Sequence, residues 1–112
     1  MTDKELLLAV AEFMGLKNLR YLYEGLLCYD RELTATDYAL EAMVPAYITS
    51  INLFLYEVWP HIENHGDDFV VSWAEELVKI VGNQPDKIAN ASARDRCMAL
   101  VNAIAPVPMI PD

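Results

Sequence analysis

Three side chains with metal-binding chemistry follow one another at intervals of four residues: Glu57, His61 and His65. On a straight helix they would share one face, and imidazole and carboxylate groups are ligands for divalent transition metals. Pro60 bends the predicted helix at this point, and the sequence holds no second carboxylate–histidine element to complete the coordination. A metal-dependent enzyme is therefore one alternative hypothesis, beside the simpler interpretation that the helix dipole favours histidines near a C-terminus.

Two adjacent acidic pairs, Asp67 with Asp68 and Glu75 with Glu76, are the other candidates for acid–base chemistry. Paired carboxylates do such work when burial separates their pKa values. Here one member of each pair has a structural use in capping or solvation. The sequence also lacks a phosphate-binding glycine loop, a nucleophile elbow and a Ser-His-Asp order. We therefore expect no catalytic residue and no cofactor, and predict that the chain is not an enzyme.

Tyrosines and arginines mark a different kind of candidate site. The chain has 6 tyrosines, and although core packing is the default role of such rings, tyrosine and arginine are also common at recognition surfaces. Both types are concentrated between residues 20 and 31. We predict a protein-binding surface there that consists of Arg20, Tyr21, Tyr23, Tyr29 and Arg31.

A small-molecule binder is the second alternative, for example a sponge for a nucleotide signal with its pocket at a dimer interface. Bound phosphates need several convergent cationic side chains. Of the chain's arginines, Arg94 and Arg96 lie outside the predicted protein-binding surface and are the further candidates for phosphate contacts.

The charge balance restricts the partners. There are 17 acidic and 8 basic residues, which gives a net charge of −9. Direct nucleic-acid binding is not expected, because phosphate contacts need clusters of lysine and arginine. An acidic surface serves solubility. The alternative is an acidic face that competes for the basic groove of a nucleic-acid-binding protein.

Composition places the chain among cytoplasmic globular domains. Its 112 residues, 54% of them hydrophobic, suffice for one core. No apolar run reaches the roughly 18 residues that cross a membrane, and Asp3 and Glu5 stand where an export signal would be basic. Cys28 and Cys97 are far apart and lack C-x-x-C spacing, so we predict buried, reduced thiols over a disulfide or metal pair.

The helices that position these residues are signalled by caps and apolar spacing. Thr2 and Glu5 form a capping box for a helix over residues 3–14. The stretch 49–65 carries a buried apolar stripe that Leu53 and Tyr56 widen, so we expect a helix covered on more than one side, kinked or ended near Pro60. The residues of the stripe are Ile51, Phe54, Leu55, Val58, Trp59 and Ile62. Further helices are predicted over residues 73–81, with a capping box at Ser72, and from residue 92 onward.

Residues 17–33 have weak helical periodicity and are rich in aromatic side chains. The runs 19–24 and 26–33, on either side of Gly25, predict two short strands or one bent strand. We further predict a short helix from Thr36 through Met43, a brief strand at residues 69–71 and a surface loop at 83–87. In the tail, residues 106–112, the prolines favour extended backbone. The tail is either disordered or a packed arm, including one that docks on a neighbouring subunit.

Three segments together resemble a group of small phage and prophage proteins with an α/β/α sandwich domain. These are ELLLAVAEFMGLKN at residues 5–18, VPAYITSINLFLYEVWPHI at 44–62 and ANASARDRCMALVNAI at 89–104. The sequence departs from that group at Leu16, where a tryptophan is usual, and in the tyrosine-rich insert before Val44. The resemblance implies a sheet covered by helices and a phage or prophage origin, and it brings no catalytic residues.

Taken together, the patterns predict an α+β fold with about four helices on a sheet of about three strands; the alternative is an all-α domain. We expect one globular domain over residues 1–105 and the extended tail over 106–112. The function that we expect is a non-catalytic accessory protein of phage origin that binds and modulates or inhibits a host or defence-system protein. It would act in the cytoplasm of the bacterial host cell, without a membrane, and as a possible homodimer.

Overall fold

The computed structural model of the protein describes residues 1–22, 25–32 and 39–104. These residues form helices and a three-stranded antiparallel sheet, so the predicted α+β class is confirmed and the all-α alternative is wrong. The chain divides into two compact units, Met1–Ala46 and Tyr47–Asp112. A single domain over residues 1–105 stays a prediction, and the tail lies outside the described residues.

The first unit begins with α1 (Asp3–Phe13), whose capping box is formed as predicted. The Thr2 hydroxyl accepts from the Glu5 amide at 3.2 Å, and the Glu5 carboxylate accepts from the Thr2 hydroxyl at 2.9 Å. These hydrogen bonds from Thr2 lower the pKa of Glu5. Leu6 and Val10, one turn apart, are fully buried. The helix ends before Gly15, whose φ of +77° is a conformation that favours glycine.

Three strands follow in the order β1 (Lys17–Leu22), β2 (Leu26–Glu32) and β3 (Ala39–Met43). The two strands predicted around Gly25 are therefore confirmed. The helix predicted through Met43 is wrong over residues 39–43, because this segment pairs antiparallel with β2. Its alanine, leucine, glutamate and methionine residues are good helix formers, and pairing with a neighbouring strand overrides that weak preference.

The second unit opens with the helix that the sequence places at residues 49–65. It consists of α2 (Ile51–Leu53), a π-helical segment (Phe54–Val58) and α3 (Trp59–Asn64), which together we call the central helix. The Ser50 hydroxyl caps it by accepting from the Leu53 amide at 3.3 Å. The helix neither ends nor restarts at Pro60.

The π-helical segment lies directly before this proline. The Trp59 amide donates to the Phe54 carbonyl, five residues back, in place of the usual four. Proline has no amide hydrogen to donate, and the wide turn falls where the regular hydrogen-bond ladder is interrupted.

The next helix, α4 (Asp67–Val81), starts earlier than predicted. The brief strand expected at residues 69–71 is wrong, and the Ser72 capping motif lies inside the helix. Gly66 enters it with φ +101°, and Asp67 and Asp68 occupy the first turn, where the helix dipole favours negative charge. Its end before Gly82 is as predicted.

The chain closes with α5 (Pro85–Ala89) and α6 (Ala93–Ile104). Where a loop was expected, Pro85 instead begins a short helix, a position that suits proline. The Ser92 hydroxyl caps α6 by accepting from the Asp95 amide at 3.0 Å, which confirms the last predicted helix. With the central helix counted once, the described residues contain five helices, against about four expected.

The core of the second unit is built where α6 packs against α4. Trp73 donates its indole N–H to the Arg96 carbonyl at 3.0 Å. Its ring lies 6.1 Å from that of Phe54 and 4.9 Å from that of Trp59, measured between centroids.

Cys28, in the first unit, and Cys97, in the second, are both buried and unbridged, as predicted.

Candidate functional site

The register of the sheet separates the residues of the predicted binding surface. Side chains alternate between the two faces along a strand, and residues paired across strands share a face. By this rule Arg20 lies on the opposite face from Tyr21, Tyr29 and Arg31. Tyr23 lies outside the described residues. The predicted set therefore does not form one continuous surface on the sheet.

Arg20 is held by a network that crosses all three strands. One terminal nitrogen donates to the Asn18 carbonyl at 2.7 Å, and the other donates to Asp30 at 2.8 Å and to Glu41 at 2.9 Å. The Asn18 amide also donates to Asp30 at 2.7 Å. Asn18 reaches this position with φ +56°, at the irregularity that displaces β1 between Lys17 and Arg20.

We call this network the clasp; it consists of Asn18, Arg20, Asp30 and Glu41, whose hydrogen bonds lie within the sheet. Hydrogen bonds from Asn18 and Arg20 lower the pKa of Asp30, and the two carboxylates raise the pKa of Arg20. The three charged side chains are 21–46% exposed, so the pairing is screened by water and contributes modestly to stability. The Arg20 guanidinium is engaged within its own sheet, which weakens its candidacy as a ligand for a phosphate or a partner.

Removing the acid at the centre of the clasp should change how stability depends on pH. Because the pKa of Asp30 is lowered by folding, its contribution is present above the unfolded-state value of about 3.9 and is lost as the pH falls through the lower folded-state value. The Asp30→Asn variant should therefore have a lower free energy of unfolding than the wild type at pH 7. That free energy should also fall less than the wild type's when the pH is lowered to 3.

Urea unfolding at pH 7 and at pH 3, followed by far-UV circular dichroism, measures this difference. Glu12→Gln removes an exposed carboxylate from α1 and corrects for the general effect of reducing the net charge. Equal pH responses of the two variants would show that the clasp contributes nothing specific.

The opposite face of the sheet carries the rest of the predicted surface. The Tyr21 hydroxyl donates to the Lys4 carbonyl of α1 at 3.2 Å, although the residue remains 44% exposed. Tyr29 and Arg31 border a hollow of about 180 Å³. Small-molecule sites usually enclose about 300 Å³ or more, so this hollow is small for a nucleotide. Its lining consists of Gly15, Leu16, Lys17, Tyr29, Asp30 and Arg31.

The second pair of predicted phosphate ligands lies at the start of α6. Arg96 donates to the Ala91 and Ala89 carbonyls, each at 3.1 Å, and so satisfies backbone acceptors near the end of α5. Arg94 is exposed in the first turn of α6. Two of the chain's arginines, Arg20 and Arg96, are thus committed to internal hydrogen bonds, which weakens the nucleotide hypothesis.

The predicted metal ligands are not assembled into a site. In the part of the chain that the structure describes, no group of three or more His, Cys, Asp or Glu side chains is placed to hold a metal ion. Glu57 is exposed in the π-helical segment, whereas His61 is half-buried in α3. The His65 ring instead lies against Phe69, with centroids 5.1 Å apart.

An exposed apolar surface on the central helix was missed by the sequence analysis. Three of its residues, which we call the outer ridge, are exposed: Ile51 by 37%, Leu55 by 44% and Tyr56 by 80%. The expectations that Ile51 and Leu55 belong to the buried stripe and that Tyr56 widens it are wrong. The sequence did contain a signal for this surface, because the stretch has more apolar side chains than one buried stripe needs.

The outer ridge lies off the buried side of the central helix. The fully buried residues of the central helix are Phe54, Val58 and Ile62, spaced by four. In a regular α-helix a spacing of four drifts around the axis, because one turn takes 3.6 residues. The wider π-helical turn counters that drift and keeps these three residues close to one line. Leu55 and Tyr56 follow Phe54 by one and two residues, and each residue turns the helix by more than a fifth of a full rotation, so both lie off that line.

The surroundings of the outer ridge are acidic. Glu57 and Glu63 are exposed on the same helix. The sequence contains no lysine or arginine between Arg31 and Lys79. A partner that covers the ridge therefore meets apolar side chains on a helix that carries exposed acids and no lysine or arginine.

Among the described residues, no helix combines the length and the apolarity that crossing a bilayer demands. Comparisons with family models, with curated proteins and with solved structures each yield no match to this chain. The resemblance to phage sandwich proteins accordingly stays a prediction.

Proposed function

We propose that the chain is a non-catalytic accessory protein of phage or prophage origin that binds and modulates or inhibits a host or defence-system protein. It would do so in the cytoplasm of the bacterial cell. The observation that carries the binding part of this proposal is the outer ridge, above all the 80% exposure of Tyr56. The phage and host parts are supported by the sequence resemblance alone.

The ridge has the composition of a binding hot spot. Tyrosine is enriched among residues that dominate binding energy, because the ring buries a large apolar area and its hydroxyl keeps a polar partner. Single exposed apolar residues are ordinary on protein surfaces. Here three such residues, Ile51, Leu55 and Tyr56, are exposed on one helix, and this concentration of apolar side chains supports an interaction site on that helix.

The charge around the ridge indicates what kind of protein would bind. A net charge of −9 and the absence of basic residues between Arg31 and Lys79 favour a partner with a basic surface. Complementary charge mainly raises the association rate and selects among partners, while the buried apolar side chains supply the affinity. Association should therefore weaken as the salt concentration rises.

The test is affinity purification of the tagged chain from bacterial lysate, with proteins identified by mass spectrometry and small molecules released on denaturation identified in parallel. The paired change Leu55→Ser with Tyr56→Ser should reduce recovery of a stoichiometric protein partner at least tenfold, as expected for the loss of a hot spot worth about 2 kcal/mol or more.

A matched control separates this result from a general loss of exposed apolar surface. Met43→Ser removes a side chain that is 61% exposed on β3 and should leave recovery unchanged. If the partner is retained by the ridge variant, the assigned surface is wrong. If a nucleotide is released and no protein is enriched, the proposed function fails and the nucleotide sponge takes its place.

A further inference from the structure

One edge of the sheet, strand β3, is open among the described residues. The two outer strands of the sheet are β1 and β3. β1 packs beside α1, and the Tyr21 hydroxyl donates to the Lys4 carbonyl of that helix. β3 pairs with β2, and within the described chain residues 39–43 make no backbone hydrogen bond outside that pairing. Such an edge presents N–H and C=O groups to a further strand.

The register shows which backbone groups of β3 point outward. The Val44 amide donates to the Leu27 carbonyl at 2.9 Å, directly across the ladder. In an antiparallel pair, residues bonded to the neighbouring strand alternate with residues whose N–H and C=O point away from it. Residues 40 and 42 therefore bond to β2 as Val44 does. Residues 39, 41 and 43 each direct one N–H and one C=O towards the open edge.

The side chains of β3 do not close this edge. Natural edge strands are often protected by charged side chains, by proline or by a covering element. β3 has one charged residue, Glu41, and its carboxylate accepts from Arg20 at 2.9 Å within the clasp. Because Glu41 is held in the clasp, an approaching strand does not have to displace an unattached charged side chain.

The charge of the clasp selects the strand that would be added. Arg20 pairs with two acids, Asp30 and Glu41, so one negative charge is not compensated. The Glu41 side chain remains 46% exposed on the strand that forms the open edge. A lysine or arginine directly opposite Glu41 would compensate this charge, whereas an acid at that place would be repelled.

A second copy of this chain fits the edge less well than a basic segment does. Its β3 offers no basic residue, because the sequence has no lysine or arginine between Arg31 and Lys79. Each copy also has a net charge of −9, and like charges repel at low salt. Charge complementarity therefore favours a basic segment of another protein.

We propose that β3 is a strand-addition site, at which an extended segment of a partner protein pairs with residues 39–43 and places a lysine or arginine opposite Glu41. In this mode of peptide recognition, main-chain hydrogen bonds supply the affinity and alternate side chains supply the specificity. The site shares no residue with the outer ridge and does not depend on the function proposed for that ridge.

Titration of the isotope-labelled full chain with a short peptide tests the site. The probe is a capped seven-residue peptide of alternating threonine and valine, with arginine in place of the central valine, a composition that favours extended backbone. The amide resonances of Glu41 and Met43 should shift, because their outward N–H groups gain acceptors. The amides of Ala42 and Val44 already bond to β2 and should shift much less.

Two comparisons make the result specific. A peptide with glutamate in place of the central arginine should bind roughly tenfold more weakly, because like charges then face each other across the pair. Met43→Pro removes an outward N–H and should weaken binding of the arginine peptide roughly fivefold. Met43→Ser keeps that N–H and should change the affinity by less than about twofold.

The absence of alternating shifts at about millimolar peptide, or equal affinity for the two peptides, would overturn the proposal. The alternation is read in the wild type, so it tests the site whether or not Met43→Pro folds. Shifts of the same amides when only the protein concentration is raised would assign the edge to a second copy and also overturn it. The paired variant Leu55→Ser with Tyr56→Ser should bind the arginine peptide like the wild type; a loss of binding there would assign the peptide to the outer ridge instead.

Discussion

Replacing Phe54 with alanine should lower the free energy of unfolding of the second unit by about 3–5 kcal/mol. The ring is fully buried, at 0% exposure, and lies 6.1 Å from the Trp73 ring between centroids. The change removes the transfer free energy of the aromatic side chain and leaves a cavity beside Trp73, because a close-packed interior relaxes only in part.

The neighbouring residue gives the matched control. Leu55 is 44% exposed in the same π-helical segment, so Leu55→Ala should change the unfolding free energy by less than about 1 kcal/mol. Both of the chain's 2 tryptophans, Trp59 and Trp73, lie in the second unit. Urea unfolding followed by tryptophan fluorescence therefore reports on this unit. Similar losses for both variants would contradict the alignment of buried residues in the central helix.

The elements that the sequence predicts correctly are those with local signals. Three hydroxyl groups, those of Thr2, Ser50 and Ser92, each accept a hydrogen bond from the backbone amide three residues later, and each marks the start of a helix. Gly15 and Gly82 follow two helix ends with positive φ. Such interactions need only a few residues of chain, so residue type and spacing are enough to locate them.

The errors lie where residues outside a segment outweigh the preference of the segment itself. Residues 39–43 have helical composition, yet they form β3 because β2 offers a pairing partner about ten residues away. Residues 69–71 look like a strand because they are branched or aromatic, yet Gly66 and the acidic first turn begin a helix before them. In both cases the preference of the residue types predicts the wrong element, because such a preference is weak and interactions with residues outside the segment override it.

The candidate site was harder to predict than the fold for a related reason. Arg20 is adjacent in sequence to Tyr21, but the alternation of a strand places the two side chains on opposite faces. Its partner Glu41 is 21 residues away, on a strand that was predicted as helix. The apolar residues of the outer ridge have a spacing that also fits a helix with two buried sides, and the sequence alone does not show which side the rest of the fold covers.

Labelling of Cys97 is expected to be extremely slow in the folded protein. Burial raises the pKa of its thiol from the ordinary 9.0 to about 12. Since the thiolate is the reactive form, this shift reduces its fraction at pH 8 by roughly a thousandfold. The thiol is also fully inaccessible and donates to the Tyr47 carbonyl at 3.5 Å. In a Cys28→Ser background, iodoacetamide should therefore react with Cys97 only through opening of the unit.

The pH dependence separates a buried thiol from an accessible one. The folded-state pKa of Cys97 is raised, so its contribution to stability is complete below pH 9 and is lost as the pH rises from 9.0 towards 12. Labelling followed by mass spectrometry should accelerate steeply above pH 9, together with a fall in unfolding free energy. Denaturation in urea should restore ordinary thiol reactivity at pH 8. A fast reaction in native buffer that levels off near pH 9 would mean that the packing of α6 against α4 leaves Cys97 open to water.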